Sequence, residues 1–283
     1  VRIHLFREKL GEKGSLRAMY DLAEQDPEVQ KQLDRVTADD FDDDGESESD
    51  EELRGSAPSL VAKLRELGAH RYDRSDIGYS ALFSDVFGER LRYCTTWKDW
   101  AFYDGARWVK DSQGMKAQRR GKRLWKALMK YAPDSGLQGE NLAKYTKSVA
   151  ALGDYNKRNK MIRDACANNC FDAGDLDRDP LLFNLENGVL DLRGGIKFVD
   201  HRPDFLMSKL APVSYDPEAR CPRWEKFLDD VMIGDVDKIR YLQKILGLSL
   251  TGDTSAETMF ILYGKSTRNG KSTLVETIAR LLG

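Results

Sequence analysis

Gly264 and the run Gly270-Lys271-Ser272-Thr273 have the types and order needed to hold a polyphosphate. A triphosphate carries several negative charges. Those charges are best met by unpaired backbone N–H groups at a helix start and by the positive end of the helix dipole. Gly270 has no side chain to stop the backbone curling around phosphate oxygens. Lys271 is expected to reach the β- and γ-oxygens as a point charge, and Ser272 to place its hydroxyl on Mg²⁺. Thr273 then supports the first turn of the helix. Five residues, 265–269, separate Gly264 from Gly270, one more than in the generic phosphate loop. The extra residue falls in the outer part of the loop, so the Gly-Lys-Ser end keeps its role.

Such a loop needs a strand before it and a helix after it. Residues 259–263 form a continuous apolar run of strand length, the pattern of a buried parallel strand. Beyond the loop, Leu274, Ile278, Leu281 and Leu282 share one stripe of a helix. Residues 223–250 repeat apolar positions at helical intervals, with Trp224, Phe227, Leu228 and Val231 first and Ile239, Leu242, Ile245 and Leu246 after them. Gly252 ends that pattern.

Further upstream, residues 97–111 read as two short aromatic runs around Asp104-Gly105, a hairpin signal. Its rings (Trp97, Trp100, Tyr103 and Trp108) fit a core better than a platform for bases. Residues 181–192 predict a second hairpin turning at Asn187-Gly188, and Arg193-Gly194-Gly195 separates it from a further strand. Between the two lies a basic helix. Over residues 116–130, seven of fifteen residues are Lys or Arg and none is acidic, while Leu124, Ala127, Leu128 and Tyr131 form an apolar face. Arg119, Arg120, Lys122 and Arg123 are the candidates for nucleic-acid phosphates, and Trp125 is the candidate for stacking on a base. The same pattern also describes a solvated basic face with Trp125 in the core. Helical spacing continues over residues 139–171, with Tyr155, Met161, Ile162 and Ala165 facing inward. Cys166 and Cys170 are four apart, as on one helix face, but no Cys-x-x-Cys pair exists and His4, His70 and His201 lie elsewhere. Reduced thiols are therefore favoured over a structural zinc.

The net charge of −2 hides an uneven distribution. Ten of the fourteen residues over 39–52 are acidic, and the remainder carries 45 basic residues against 37 acidic ones, a net +8. That balance permits a nucleic-acid partner without requiring one. No apolar run approaches the roughly 20 residues that span a bilayer, so no membrane anchor is expected. The first residue, Val1, points to a natural start further upstream. The expected organisation is the tail of an upstream region over 1–36 and an acidic flexible linker over 37–57. A mixed domain over 58–222, a helical collar-like segment over 223–256 and the start of a phosphate-loop domain over 257–283 follow.

The stretch YGKSTRNGKSTL resembles the phosphate loop of superfamily 3 helicases in the phage and plasmid primase and poxvirus primase–helicase group, in which an Asn precedes Gly-Lys-Ser, here Asn269. Residues 76–111 resemble the opening of that family's region N-terminal to the helicase. Residues 181–195 and 215–231 resemble its close. The resemblance implies an α+β fold: a helix-rich region with short β-hairpins, then the first strand, loop and helix of an AAA+-like α/β ATPase domain. It implies a homo-hexamer that moves on DNA, single-stranded by preference, with ATP and Mg²⁺ as cofactors and a primase fused or associated. The place of action would be the cytoplasm of a mobile element's host. Gly264, Asn269, Gly270, Lys271, Ser272 and Thr273 would bind nucleotide, with Ser272 toward the metal. The family's acidic strand motif, sensor and arginine finger lie downstream of this loop, so negligible hydrolysis is expected of these 283 residues alone. Two other readings compete: another phosphate-loop enzyme such as a small-molecule kinase, and a non-catalytic DNA-binding or oligomerisation module.

Overall fold

The computed structural model describes residues 59–255, 257–264 and 269–283. The upstream region expected over 1–36 and the acidic linker expected over 37–57 lie outside the described residues.

Five helices and a small sheet form the first layer. Helix α1 (Leu60–Leu67) starts where Ser59 Oγ accepts from the Ala62 N–H and stops at Gly68 in the left-handed region. Helix α2 (Asp76–Phe87) leads into β1 (Leu91–Cys94), β2 (Asp99–Tyr103) and β3 (Trp108–Asp111). Helices α3 (Met115–Tyr131), α4 (Gly139–Ala151) and α5 (Tyr155–Ala165) follow, and then the two-residue strand β4 (Cys170–Phe171). Asp154 caps α5 by accepting from the N–H groups of Asn156 and Lys157. The sheet order is β3-β2-β1-β4, antiparallel except for the parallel β1–β4 pair.

Alternation along the strands divides the aromatic residues between two cores. Leu91 and Trp100 face the helices and pack with Leu64, Phe83, Leu124, Leu128, Tyr145 and Met161. Ala101, Tyr103 and Trp108 face the other way and pack with Cys94 and Phe171. Trp100, Tyr103 and Trp108 are thus buried, as the hairpin reading expects. The hairpin loop is longer than a two-residue turn: Asp104 Oδ1 accepts from the Ala106 and Arg107 N–H groups, and Gly105 supplies the positive φ of +112°.

The second sheet is an antiparallel meander of β5 (Leu182–Leu185), β6 (Gly188–Asp191) and β7 (Lys197–Val199). Its turn is offset by one residue from the sequence reading. Leu185 pairs with Gly188, so Glu186-Asn187 forms the turn and Gly188 opens β6. The displacement has a tertiary cause: Asn187 exchanges two hydrogen bonds of 2.9 Å with the backbone of Tyr215. Asn184, buried on β5, donates from Nδ2 to the carbonyls of Ala106 and Lys209 and so ties the second sheet to the first hairpin.

Three helices complete the described chain: α6 (Pro222–Met232), α7 (Val236–Ser249) and α8 (Lys271–Leu282). Leu228, Leu242 and Leu274, one from each, form their shared core. Three expectations need correction here. Residues 259–263 are not a buried strand: they take no regular structure, and Met259, Ile261 and Tyr263 are 80%, 76% and 83% exposed. A strand is held by its neighbours, and among the described residues none pairs with this run. Helix α5 ends at Ala165, so Cys166 lies past its end and Cys170 sits in β4, not on a shared helix face. Tyr155, at the first position of α5, is 61% exposed rather than inward, while Met161, Ile162 and Ala165 are buried as expected.

Candidate phosphate-binding loop and basic surface

Helix α8 begins at Gly270, which has φ +79°, and no side chain caps it. The first N–H groups of any helix lack partners in the helix itself, so this end presents donors and a positive dipole. Lys271 Nζ donates to Asn269 Oδ1 at 2.5 Å. Gly264 closes on the same point: a Cβ on it would stand 1.8 Å from Asn269 Nδ2 and 3.3 Å from Lys271 Nζ. A Cβ on Gly270 would meet Val231 at 2.6 Å and Phe227 at 3.0 Å, both on α6. A side chain at Gly270 would therefore meet both α6 and a left-handed backbone, while one at Gly264 would displace the Asn269 amide. Ser272 and Thr273 are exposed. The structure thus brings Gly264, Asn269, Gly270 and Lys271 together, while residues 265–268 lie outside the described ones. An ammonium, an amide and uncapped N–H groups form a donor set that fits a polyphosphate, and Ser272 adds an exposed hydroxyl of the kind Mg²⁺ takes.

The basic helix α3 forms as its pattern predicts, with Ala117, Gly121, Leu124, Ala127, Leu128 and Tyr131 buried. Its start is fixed by a residue that the sequence reading missed. Asp111, 4% exposed at the end of β3, accepts from the Lys116 N–H through Oδ1 at 3.0 Å and from the Ala117 N–H through Oδ2 at 2.9 Å. An acid four residues before the first turn, with Ser112-Gln113-Gly114 between, is not the usual capping spacing, so no local signal marked it. Replacing Asp111 with Ala is expected to cost about 1–2 kcal/mol, read as an earlier midpoint in urea, with Asn restoring part of the loss.

Along α3, Arg119 and Lys122 are exposed, and Arg120 and Arg123 are half-buried. The Arg120 guanidinium lies 5.8 Å from the Phe87 ring centroid, and Lys116 Nζ lies 3.7 Å from that of Phe102. These cations stand over aromatic faces of the fold, so Arg119 and Lys122 are the more open pair. Trp125 packs against the main core, and a Cβ on Gly153 would lie 3.2 Å from its ring. Its indole Nε1 is buried as well. That placement is a packing role and leaves little face for a base.

Comparison with known proteins covers the second of these regions rather than the loop. Residues 80–233, more than half of the chain, match the family described as D5 N terminal like. The chain belongs to the D5 N terminal like family. The matched span of this D5 N terminal like chain begins within α2 and ends one residue past α6. It contains both sheets and the basic helix and stops before Gly264. Over 145 residues the chain is 31% identical to "Putative helicase L207/L206" of Acanthamoeba polyphaga mimivirus. That similarity covers 49% of this chain and 15% of the viral protein. No helix among the described residues is long and apolar enough to cross a membrane.

Proposed function

We propose that this chain is part of a replicative DNA helicase of a phage, plasmid or prophage, binding ATP and Mg²⁺ at the 264–273 loop and single-stranded DNA on α3. The observation that carries the reading is the convergence of Gly264, Asn269 and Lys271 at the uncapped start of α8, in a chain of the D5 N terminal like family. The name of the viral relative supports the helicase class. A homo-hexameric ring and an associated primase belong to the same proposal.

When bound, ATP supplies the phosphoryl group whose transfer to water drives movement along DNA. The residues here bind and orient. Lys271 leaves its contact with Asn269 Oδ1 for the phosphate oxygens, and Asn269 holds the ammonium in place until then. The N–H groups at the start of α8 add fixed donors that need no reorganisation. Ser272 orients the metal-bearing side of the nucleotide.

The exposed run 259–263, which pairs with no strand among the described residues, favours one other reading, a DNA-binding or oligomerisation module that holds no nucleotide. Competition separates the two. A fluorescent ATP analogue bound in Mg²⁺ is expected to be displaced by ATP, by ADP and by inorganic triphosphate, but not by AMP. Absence of analogue binding, with DNA binding intact, selects the module instead.

A further inference from the structure

Helix α5 carries charge that the sequence reading passed over. Lys157, Lys160 and Arg163 are all exposed on it. It lies beside α3: Gln118 Nε2 donates to Asn159 Oδ1, Ile162 Cδ1 stands 2.9 Å from a Cβ placed on Gly121, and Gly153 meets the Trp125 ring. The seam therefore runs along 118, 121 and 125 on α3 and along 162, 159 and 153 near α5. At about 100° per residue, Lys122 on α3 and Arg163 on α5 border its solvent side, with Arg119, Lys126 and Lys160 further out on the exposed faces of the two helices. Apart from Asp99 at the cleft, acids are held away from this groove. Residues 116–130 contain none, Asp154 is engaged as the cap of α5, and Asp164 accepts from Ser80 Oγ at 2.7 Å on the α2 side.

The groove opens at one end into a cleft of 410 Å³ beside β1 and β2. Tyr93, Lys98, Asp99, Gln113, Gln118 and Arg163 are among the residues that line it. The volume is within the range of about 300–1,000 Å³ usual for small-molecule sites. Tyr93 is half-buried and meets Trp100 edge-on at 5.8 Å, which fixes the wall. Lys98 at φ +51° and Gln113 at φ +65° are two of the six non-glycine residues with positive φ among the described ones, and both sit at this cleft. Such backbone is costly and collects where a site needs it.

We infer that the α3–α5 groove and this cleft are one binding site for single-stranded nucleic acid. The two basic rims hold the phosphates, and the cleft takes a single unstacked nucleotide. Its base lies against Tyr93, with Asp99, Gln113 and Gln118 offering polar groups to the base edge and Lys98 and Arg163 flanking its phosphates. Bases stack on aromatic side chains without strong sequence preference, while the rims supply the salt-dependent part of the affinity. The inference rests on the DNA binding proposed for α3. It adds a second wall and a nucleotide pocket.

The test uses the full 283-residue chain and a fluorescein-labelled oligothymidylate, with anisotropy followed across a salt series. Three double variants are compared: R119E/K122E on α3, K160E/R163E on α5, and R240E/K244E on α7 as a control. Each lost phosphate contact on a single strand lowers the salt slope by about 0.7, so the α5 pair should lower it by about 1.4 and weaken binding about tenfold at 0.1 M salt. The charge-keeping pair K160R/R163K should restore the slope. An effect from the α3 pair alone overturns the groove and leaves α3 binding standing; no effect from either pair overturns both. For the cleft, a strand carrying 5-iodouracil is irradiated on the protein, and an adduct on Tyr93 is expected. Adducts confined to other aromatic residues overturn the nucleotide pocket. Competition by millimolar dTMP as strong as by the strand would assign the cleft to free nucleotide and overturn the strand reading.

Discussion

Replacing Lys271 with Ala should weaken the binding of Mg²⁺-ATP roughly 30- to 150-fold while leaving the unfolding midpoint in urea unchanged. The size follows from the loss of one charge-assisted contact to phosphate, about 2–3 kcal/mol, at 1.4 kcal/mol per tenfold. Stability should be spared because the side chain is half-exposed and its one described hydrogen bond is the local one to Asn269. Lys271→Arg should recover little, since a longer planar fork does not replace a compact ammonium at a close turn. Equilibrium titration with a fluorescent ATP analogue reads all three proteins. An unchanged affinity for Lys271→Ala would separate this lysine from any nucleotide the chain holds.

The second large effect concerns stability. Trp108→Ala is expected to cost about 3–5 kcal/mol, a large part of the roughly 5–15 kcal/mol that holds a typical domain together. Trp108 is 1% exposed and packs within 5.6 Å of Phe171 and 5.9 Å of Tyr103, centroid to centroid. The Arg92 guanidinium lies 5.3 Å from its ring, and its Nε1 donates to the Pro203 carbonyl at 2.8 Å. The substitution therefore leaves a cavity, removes a cation–π contact and strands a carbonyl that joins the hairpin to the chain after β7. Trp108→Phe should cost less, because a ring still fills most of the space. Urea unfolding followed by far-UV circular dichroism ranks the three. A loss under 1 kcal/mol for the alanine variant would mean that the second face of the sheet is not the packed core described here.

Much of this architecture was legible in the residues. The two aromatic runs around Asp104-Gly105 marked the hairpin and its buried rings, and the apolar stripe of residues 116–130 marked the buried face of α3. Local chemistry decides both, so the pattern sufficed. The turn at Asn187-Gly188 was displaced by one residue because Asn187 is engaged by Tyr215, twenty-eight positions away, which no local signal records. Asp111 escaped for a similar reason: its two acceptor bonds reach past a short 3₁₀ turn that the sequence does not announce. The run 259–263 shows the opposite failure. Its composition suits a buried strand, but a strand exists only with a neighbour to bond, and the described residues provide none.

Spacing singled out Gly264, Gly270 and Lys271 and the resemblance added Asn269, and in the fold Gly264, Asn269 and Lys271 meet at the start of α8. The residues proposed to face DNA were only half legible. Charge marked α3, but the α5 charges emerge only once the two helices are packed side by side. Trp125 was open between stacking on a base and packing in the core, and in the fold its ring packs on the main core with Gly153 against it.

Hydrogen exchange of the 283-residue chain with and without Mg²⁺-ATP tests the central claim most directly. The account predicts slowed exchange over residues 269–274, at the start of α8, with AMP producing no such protection there. Unchanged exchange over those residues at saturating ATP, or protection confined to other parts of the chain, would contradict it.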